Sequence, residues 1–254
     1  MSARSRIAVL GACSLLFSAC GGTQRADPAS VTIAAAANLT GVMDDIARAF
    51  ERETSARVVV SYGSTAQLAQ QIEHGAPFDV FAAADTEHID ALIERGKLQR
   101  ESRAIYARGQ LVLWSPNPAL RVGSLEDLTQ PRVRFIAIAQ PRLAPYGRAA
   151  VEALKAAGVW DRIQSKVTYA NSISMAKQYA SSANADVAFT ALSLVLKEGH
   201  GAAIRIDPRL YRPLDQALAI TTMARHGELA RRFAQFLLGK SGRSVFAKNG
   251  YLLP

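Results

Sequence analysis

Apolar and polar positions along this chain repeat one unit: a short apolar run, a corner of small or polar residues, then apolar residues at helical spacing. In the first unit, residues 31–36 form a largely apolar stretch that reads as a buried strand. Leu39, Val42, Met43, Ile46, Ala49 and Phe50 follow at the spacing of an amphipathic helix. Asn38 stands between them, a residue type favoured at helix starts. The second unit runs through the β-branched stretch 57–62, Gly63, the hydroxyls Ser64 and Thr65, and a helix over 66–73. Gly75 suits the end of that helix. The third joins a strand at 133–139 to a helix over 147–157 through a corner holding Pro141, Pro145 and Tyr146. The fourth runs from Val167-Thr168-Tyr169 through Asn171-Ser172-Ile173-Ser174 into a helix over 175–179. A helix start offers unpaired N–H groups and a partial positive charge, a setting suited to an anion. One such corner is ordinary capping; four suit a ligand taken up between helix ends.

Further strands are expected at 79–83, 110–114, 186–190, 203–206 and 216–221. Helices are expected at 88–95, 125–128, 191–197 and 228–238, with a last helix at 241–246 turning into a docked tail. This alternation predicts α/β architecture with mostly parallel sheets. No low-complexity linker divides the chain, so two lobes require it to cross between them more than once. Arg108-Gly109-Gln110 and Tyr211-Arg212-Pro213-Leu214 are the candidate crossings.

The first twenty residues differ in kind. Arg4 and Arg6 precede a short apolar run, and Ser18-Ala19-Cys20 closes it, which reads as a secretory signal over 1–19. Ser-Ala-Cys-Gly-Gly resembles a bacterial lipobox, so Cys20 is expected to carry a lipid, with residues 20–30 as a tether. Cys13 leaves with the signal and Cys20 is modified, so no disulfide is expected. No later stretch approaches the roughly 18 apolar residues that span a bilayer; the lipid is the expected membrane attachment.

The formal net charge is +9, and loss of Arg4 and Arg6 with the signal lowers it by two. Basic residues are scattered singly, with no Lys/Arg block interleaved with aromatics, which argues against nucleic-acid binding. Steering of a small anion fits the balance. His74, His88, His200 and His226 stand singly, so metal ligation by His or Cys is not expected. Neither a GxSxG elbow nor a Walker loop appears, and Ser64 and Thr65 have no base in a matching motif. The chain is therefore read as a binding protein without a cofactor. A secreted α/β hydrolase using Ser64 or Thr65 is the alternative from another class.

Ala35-Ala36-Ala37-Asn38-Leu39, Ser61-Tyr62-Gly63-Ser64-Thr65, and the run Gln71-Ile72-Glu73-His74-Gly75-Ala76-Pro77 with Asp79-Val80-Phe81 and Ala83-Ala84-Asp85 resemble the periplasmic molybdate-binding proteins of ABC importers. The similarity extends from Val31 to Pro254. It implies a type II periplasmic binding fold of two hinged lobes, each a mixed, mostly parallel sheet flanked by helices. Lobe 1 is expected over 31–109 plus 213–254, and lobe 2 over 110–212. It also implies a monomer that closes on molybdate or tungstate and delivers it to a membrane permease. By the same resemblance Asn38, Thr65 with Ser64 beside it, Tyr146 and Ile173 are the ligand residues, Ile173 through its main-chain N–H. Some members place a Tyr hydroxyl where this chain has Phe189; Tyr146 is the expected substitute. Receptors for sulfate or phosphate share such an architecture. Protonated phosphate calls for a buried carboxylate acceptor, and none stands at the four corners.

Overall fold

The computed structural model describes residues 29–254. The signal over 1–19 and the lipidation of Cys20 lie outside the described residues.

Strand β1 (Ser30–Ala36) ends in a single 3₁₀ turn at Ala37–Leu39, followed by helix α1 (Val42–Thr54). Next come β2 (Arg57–Gly63), α2 (Thr65–Glu73), β3 (Val80–Ala82), α3 (Glu87–Glu94) and β4 (Ala104–Arg108). The chain then builds β5 (Leu111–Ser115), β6 (Ile136–Ala139), α4 (Pro145–Ala156), α5 (Trp160–Ile163), β7 (Val167–Ala170), α6 (Ile173–Ser181), β8 (Val187–Ala191), α7 (Leu192–Val195) and β9 (Ala202–Arg205). It returns through β10 (Asp215–Ile220) and finishes with α8 (Gly227–Leu238) and α9 (Lys240–Lys248).

The strands form two five-stranded sheets, ordered β2-β1-β3-β10-β4 and β7-β6-β8-β5-β9. In each, the first three strands are parallel, and the fourth runs antiparallel to both its neighbours. The antiparallel strands, β10 and β5, are those that follow a passage from one sheet to the other. Both passages fall at the expected crossings, between β4 and β5 and between β9 and β10.

Local reasons for the elements are plain. Val42, Met43, Ile46 and Phe50 line the inward stripe of α1 and are buried, each burial contributing about 1.5–3 kcal/mol. Phe50 meets Phe233 and Phe236 of α8 edge to face, at 5.2 and 5.5 Å between ring centroids. Strands β5, β6 and β8 are buried along their whole length, as central strands covered on both faces must be.

Several boundaries differ from the sequence reading. The helix expected from Leu39 is interrupted: Gly41 at φ 78° breaks the chain between the 3₁₀ turn and α1. That backbone suits glycine alone at low cost. Asn38 makes no capping bond and sits inside the turn. The segment expected as a helix at 125–128 is only a 3₁₀ turn, Glu126–Thr129. The strand expected from residue 133 pairs only from Ile136. Strand β4 and helix α5 had no counterpart in the sequence reading; β4 is a short edge strand ending in Arg108, and α5 is a single turn.

Candidate functional site

The parallel strands of both sheets end at the interface between the lobes, and the four corners meet there. The Ala66 amide at the start of α2 donates to Leu143 O, just before α4, at 3.1 Å. Ser174 Oγ in the first turn of α6 donates to Ala37 O at 2.7 Å, and Ser193 Oγ in α7 donates to Asn38 O at 2.9 Å. Ala36, Ala37 and Ala84 from the first sheet share one buried apolar cluster with Ala139, Ala144, Tyr146 and Ile173 from the second. Asn38, Ser64, Thr65, Tyr146 and Ile173 are therefore gathered in one region, each at most 3% exposed.

Their individual roles differ. Ser64 occupies the position before α2, but its hydroxyl donates to Gln67 Oε1 at 2.7 Å rather than capping. Thr65 Oγ1 accepts from the Ala84 amide at 3.2 Å; its own proton has no acceptor among the described residues. Ile173 opens α6, where Ser172 caps by accepting from the Met175 amide at 3.2 Å. The Ile173 N–H stands in the first turn, beyond reach of any intrahelical acceptor. Tyr146 follows Pro145 at the start of α4. Helix α4 approaches β6 so closely that a Cβ on Gly147 would collide with Ala139 O.

The Tyr146 ring points toward the crossing, not only toward the corners. A Cβ on Gly109 would collide with its hydroxyl, which accepts from Gln216 Nε2 at 3.0 Å. Gln216 Oε1 in turn accepts from Asn38 Nδ2 and from Tyr106 Oη, both at 2.9 Å. Tyr251 completes the network: its hydroxyl accepts from Asn38 Nδ2 at 2.9 Å and donates to Asn38 O at 2.8 Å. Asn38 is thus a network residue where the sequence suggested a helix cap. Burial pushes the hydroxyls of Tyr106 and Tyr146 well up, and that of Tyr251 up to about 12, so all three remain neutral donors at ordinary pH.

Two buried polar atoms have no partner among the described residues: Asn38 Oδ1 and Thr190 Oγ1. Phe189, beside Thr190, is packed in the apolar cluster under α4 and donates nothing. Gln216, Tyr251, Tyr106 and Thr190 were missed by sequence reasoning. Gln216 alone gave a signal, as a polar residue at the head of an otherwise apolar strand.

Among the described residues no Lys or Arg is buried and no metal-holding group of His, Cys, Asp or Glu occurs. Arginine and lysine lie on the rim, and one buried carboxylate, Asp85, is held there by His88 and Arg148. Arg148 of α4 reaches Glu87 at 2.9 Å and Asp85 at 3.5 Å across the interface. Arg212, on the second crossing, joins Glu87 at 3.4 Å and Glu152 at 2.9 Å. Lys197 meets Asp45 at 3.3 Å. A buried interface lined by neutral donors, with helix starts from both sheets converging on it, is suited to holding an anion without a buried cation.

A family model described as bacterial extracellular solute-binding protein matches residues 31–252. The chain belongs to the bacterial extracellular solute-binding proteins. This solute-binding protein is 37% identical to the molybdate-binding protein ModA of Azotobacter vinelandii, over 89% of its own length and 91% of the relative's. It is 33% identical to ModA of Rhodobacter capsulatus, over 87% and 88%. The solved structure of the Azotobacter vinelandii periplasmic molybdate-binding protein superposes with a TM-score of 0.85 at 31% identity, covering 88% of this chain and 99% of that one. The type II arrangement of two mixed sheets flanked by helices is the fold of those solute-binding proteins.

Proposed function

We propose that this protein captures molybdate or tungstate between its two lobes and delivers it to the permease of an ABC importer. The observation that carries the reading is the meeting of four corners in one buried interface that holds no Lys or Arg among the described residues. Asn38, Ser64 or Thr65, Tyr146 and Ile173 are the proposed ligand residues, Ile173 through its main-chain N–H. Tyr146 is also proposed to act through its main-chain N–H rather than the hydroxyl expected from the sequence, because that hydroxyl is engaged with Gln216. A dianion held by neutral donors avoids the desolvation cost of a buried Lys or Arg. Its charge-assisted hydrogen bonds are each stronger than those between neutral groups. Discrimination against sulfate follows from size: a cage fitted to longer metal–oxygen bonds leaves a smaller oxyanion with stretched hydrogen bonds.

The proposed lobes are residues 31–109 with 213–254, and residues 110–212, joined by the two crossings. The mature protein is proposed to be a monomer, held at a membrane by lipid on Cys20, without a cofactor. Replacement of Cys20 by Ser is expected to release it; a membrane-bound variant of unchanged mass would remove the anchor. The function itself is tested by calorimetric titration with molybdate, tungstate, sulfate and phosphate. Molybdate and tungstate are expected to bind and sulfate to bind at least about tenfold more weakly. Equal affinity for sulfate would assign the site to a different oxyanion, and turnover of an ester substrate would favour the hydrolase.

A further inference from the structure

The hydrogen bonds around Gln216 can run in two polarities. In one, Gln216 Oε1 accepts from Asn38 Nδ2 and Tyr106 Oη, and Gln216 Nε2 donates to Tyr146 Oη. This leaves four mismatches. The Tyr106 hydroxyl has one proton and two acceptors, Gln216 Oε1 at 2.9 Å and Ala83 O at 2.8 Å. The second hydrogen of Gln216 Nε2 and the Tyr146 hydroxyl proton have no acceptor among the described residues. Asn38 Oδ1 is buried without a donor. Gln216, Asn38, Tyr106 and Tyr146 are all at most 2% exposed, so bulk solvent does not reach them.

Turning both amides end for end exchanges O with N and leaves the positions filled. Gln216 Nε2 then donates to Asn38 Oδ1 and to Tyr106 Oη, whose proton goes to Ala83 O. Tyr146 donates to Gln216 Oε1. Two mismatches remain: Asn38 Nδ2 now occupies the unpartnered edge, and the Tyr251 hydroxyl, with one proton, now faces two acceptors, Asn38 Oδ1 at 2.9 Å and Asn38 O at 2.8 Å. An orphaned acceptor has been replaced by an orphaned donor, and a donor is what an oxyanion satisfies.

We propose that Gln216 is a positioning residue that sets which end of the Asn38 amide faces the anion. The inference rests on the reading of this interface as an oxyanion site. Tyr146 lies on α4 of the second sheet's lobe, whereas Asn38, Tyr106 and Gln216 belong to the first. The proton that holds Gln216 in its anion-competent orientation therefore arrives only when the lobes are together. In that orientation the Tyr146 hydroxyl serves Gln216, and the anion receives the Tyr146 main-chain N–H.

Molybdate titrations of Gln216→Met, Asn38→Ala and the double variant test the proposal, alongside neutron diffraction from deuterated, molybdate-bound wild-type crystals. Gln216→Met is expected to weaken binding by about 10- to 100-fold alone and by less than about twofold when Asn38 is already Ala. The neutron map is expected to show deuterons on the Gln216 edge facing Asn38 and on the Asn38 edge facing the anion. Equal losses in both backgrounds would make Gln216 a structural spacer and overturn the proposal. So would deuterons on the Asn38 edge facing Gln216, whether or not the Met variant folds. Wild-type protein that binds no molybdate would instead remove the oxyanion site itself.

Discussion

In both sheets three parallel strands end at the interface, and at their ends the two halves of the molecule offer different kinds of donor. The first sheet brings side chains: the Asn38 amide and the hydroxyls of Ser64 and Thr65. The second brings main chain, with α4 and α6 opening at Pro145 and Ile173. Side-chain donors have orientations that neighbours must fix, which is why the Asn38 amide is held by Gln216 and Tyr251. Main-chain donors need no such support, because the helix itself orients them. The comparison predicts that the first half is sensitive to side-chain chemistry and the second to backbone position.

Asn38→Asp should show this most strongly. It sets a carboxylate oxygen toward a dianion where the amide offered a donor, with an expected loss of molybdate binding worth about 2–5 kcal/mol. Asn38 caps no helix, so the variant should also be less stable without ligand, the charge being buried and unpaired. Undiminished affinity by calorimetry would show that the side-chain half is not where the anion sits.

Gly109→Ala attacks the join between the halves. A methyl there meets the Tyr146 hydroxyl, and overpacking of this kind costs about 1–3 kcal/mol. Chemical denaturation should show the loss, and unchanged stability would mean that the crossing yields freely.

Thr65→Val and Ile173→Val form a matched pair. Removing the Thr65 hydroxyl is expected to cost about 1.5 kcal/mol of binding, a hydrogen bond to a charged acceptor. Trimming Ile173 should leave affinity within about twofold, since only its N–H is proposed to meet the ligand. Equal effects of the two changes would erase the contrast between the lobes.

The smallest effect belongs to the rim. Arg148→Gln removes a bridge to the exposed Glu87 and a 3.5 Å contact to the buried Asp85, which keeps His88 as a partner, so the expected loss is below about 1 kcal/mol and fades with added salt. A salt-independent loss would place Arg148 closer to the ligand than its contacts suggest.

The sequence made the strand–corner–helix units legible because each is written within some twenty consecutive residues, from Val31 to Phe50 or from Arg57 to Gly75. Both crossings could be read as well, from Gly109 and Pro213 flanking apolar strands. What escaped was the network behind the corners. Asn38 and Tyr251 are 213 residues apart, and Asn38 and Gln216 are 178 apart; no local period encodes such pairs. Asn38 was mistaken for a cap for the same reason: its residue type signals a local bond, and its partners are all distant. Strand β4 was hidden by its mixed composition, since an edge strand needs only one covered face.

The position of β10 also has a consequence for how the chain assembles. This strand inserts between β3 and β4, so the first sheet is incomplete until Ile220 has emerged from synthesis. The second sheet has all five of its strands once Arg205 is present. Order of manufacture therefore runs opposite to order in the sequence: the middle of the chain can be finished while the beginning still waits for its end. Until then the facing edges of β3 and β4 lack their shared neighbour, an exposure that folding factors encountering the new chain would have to tolerate.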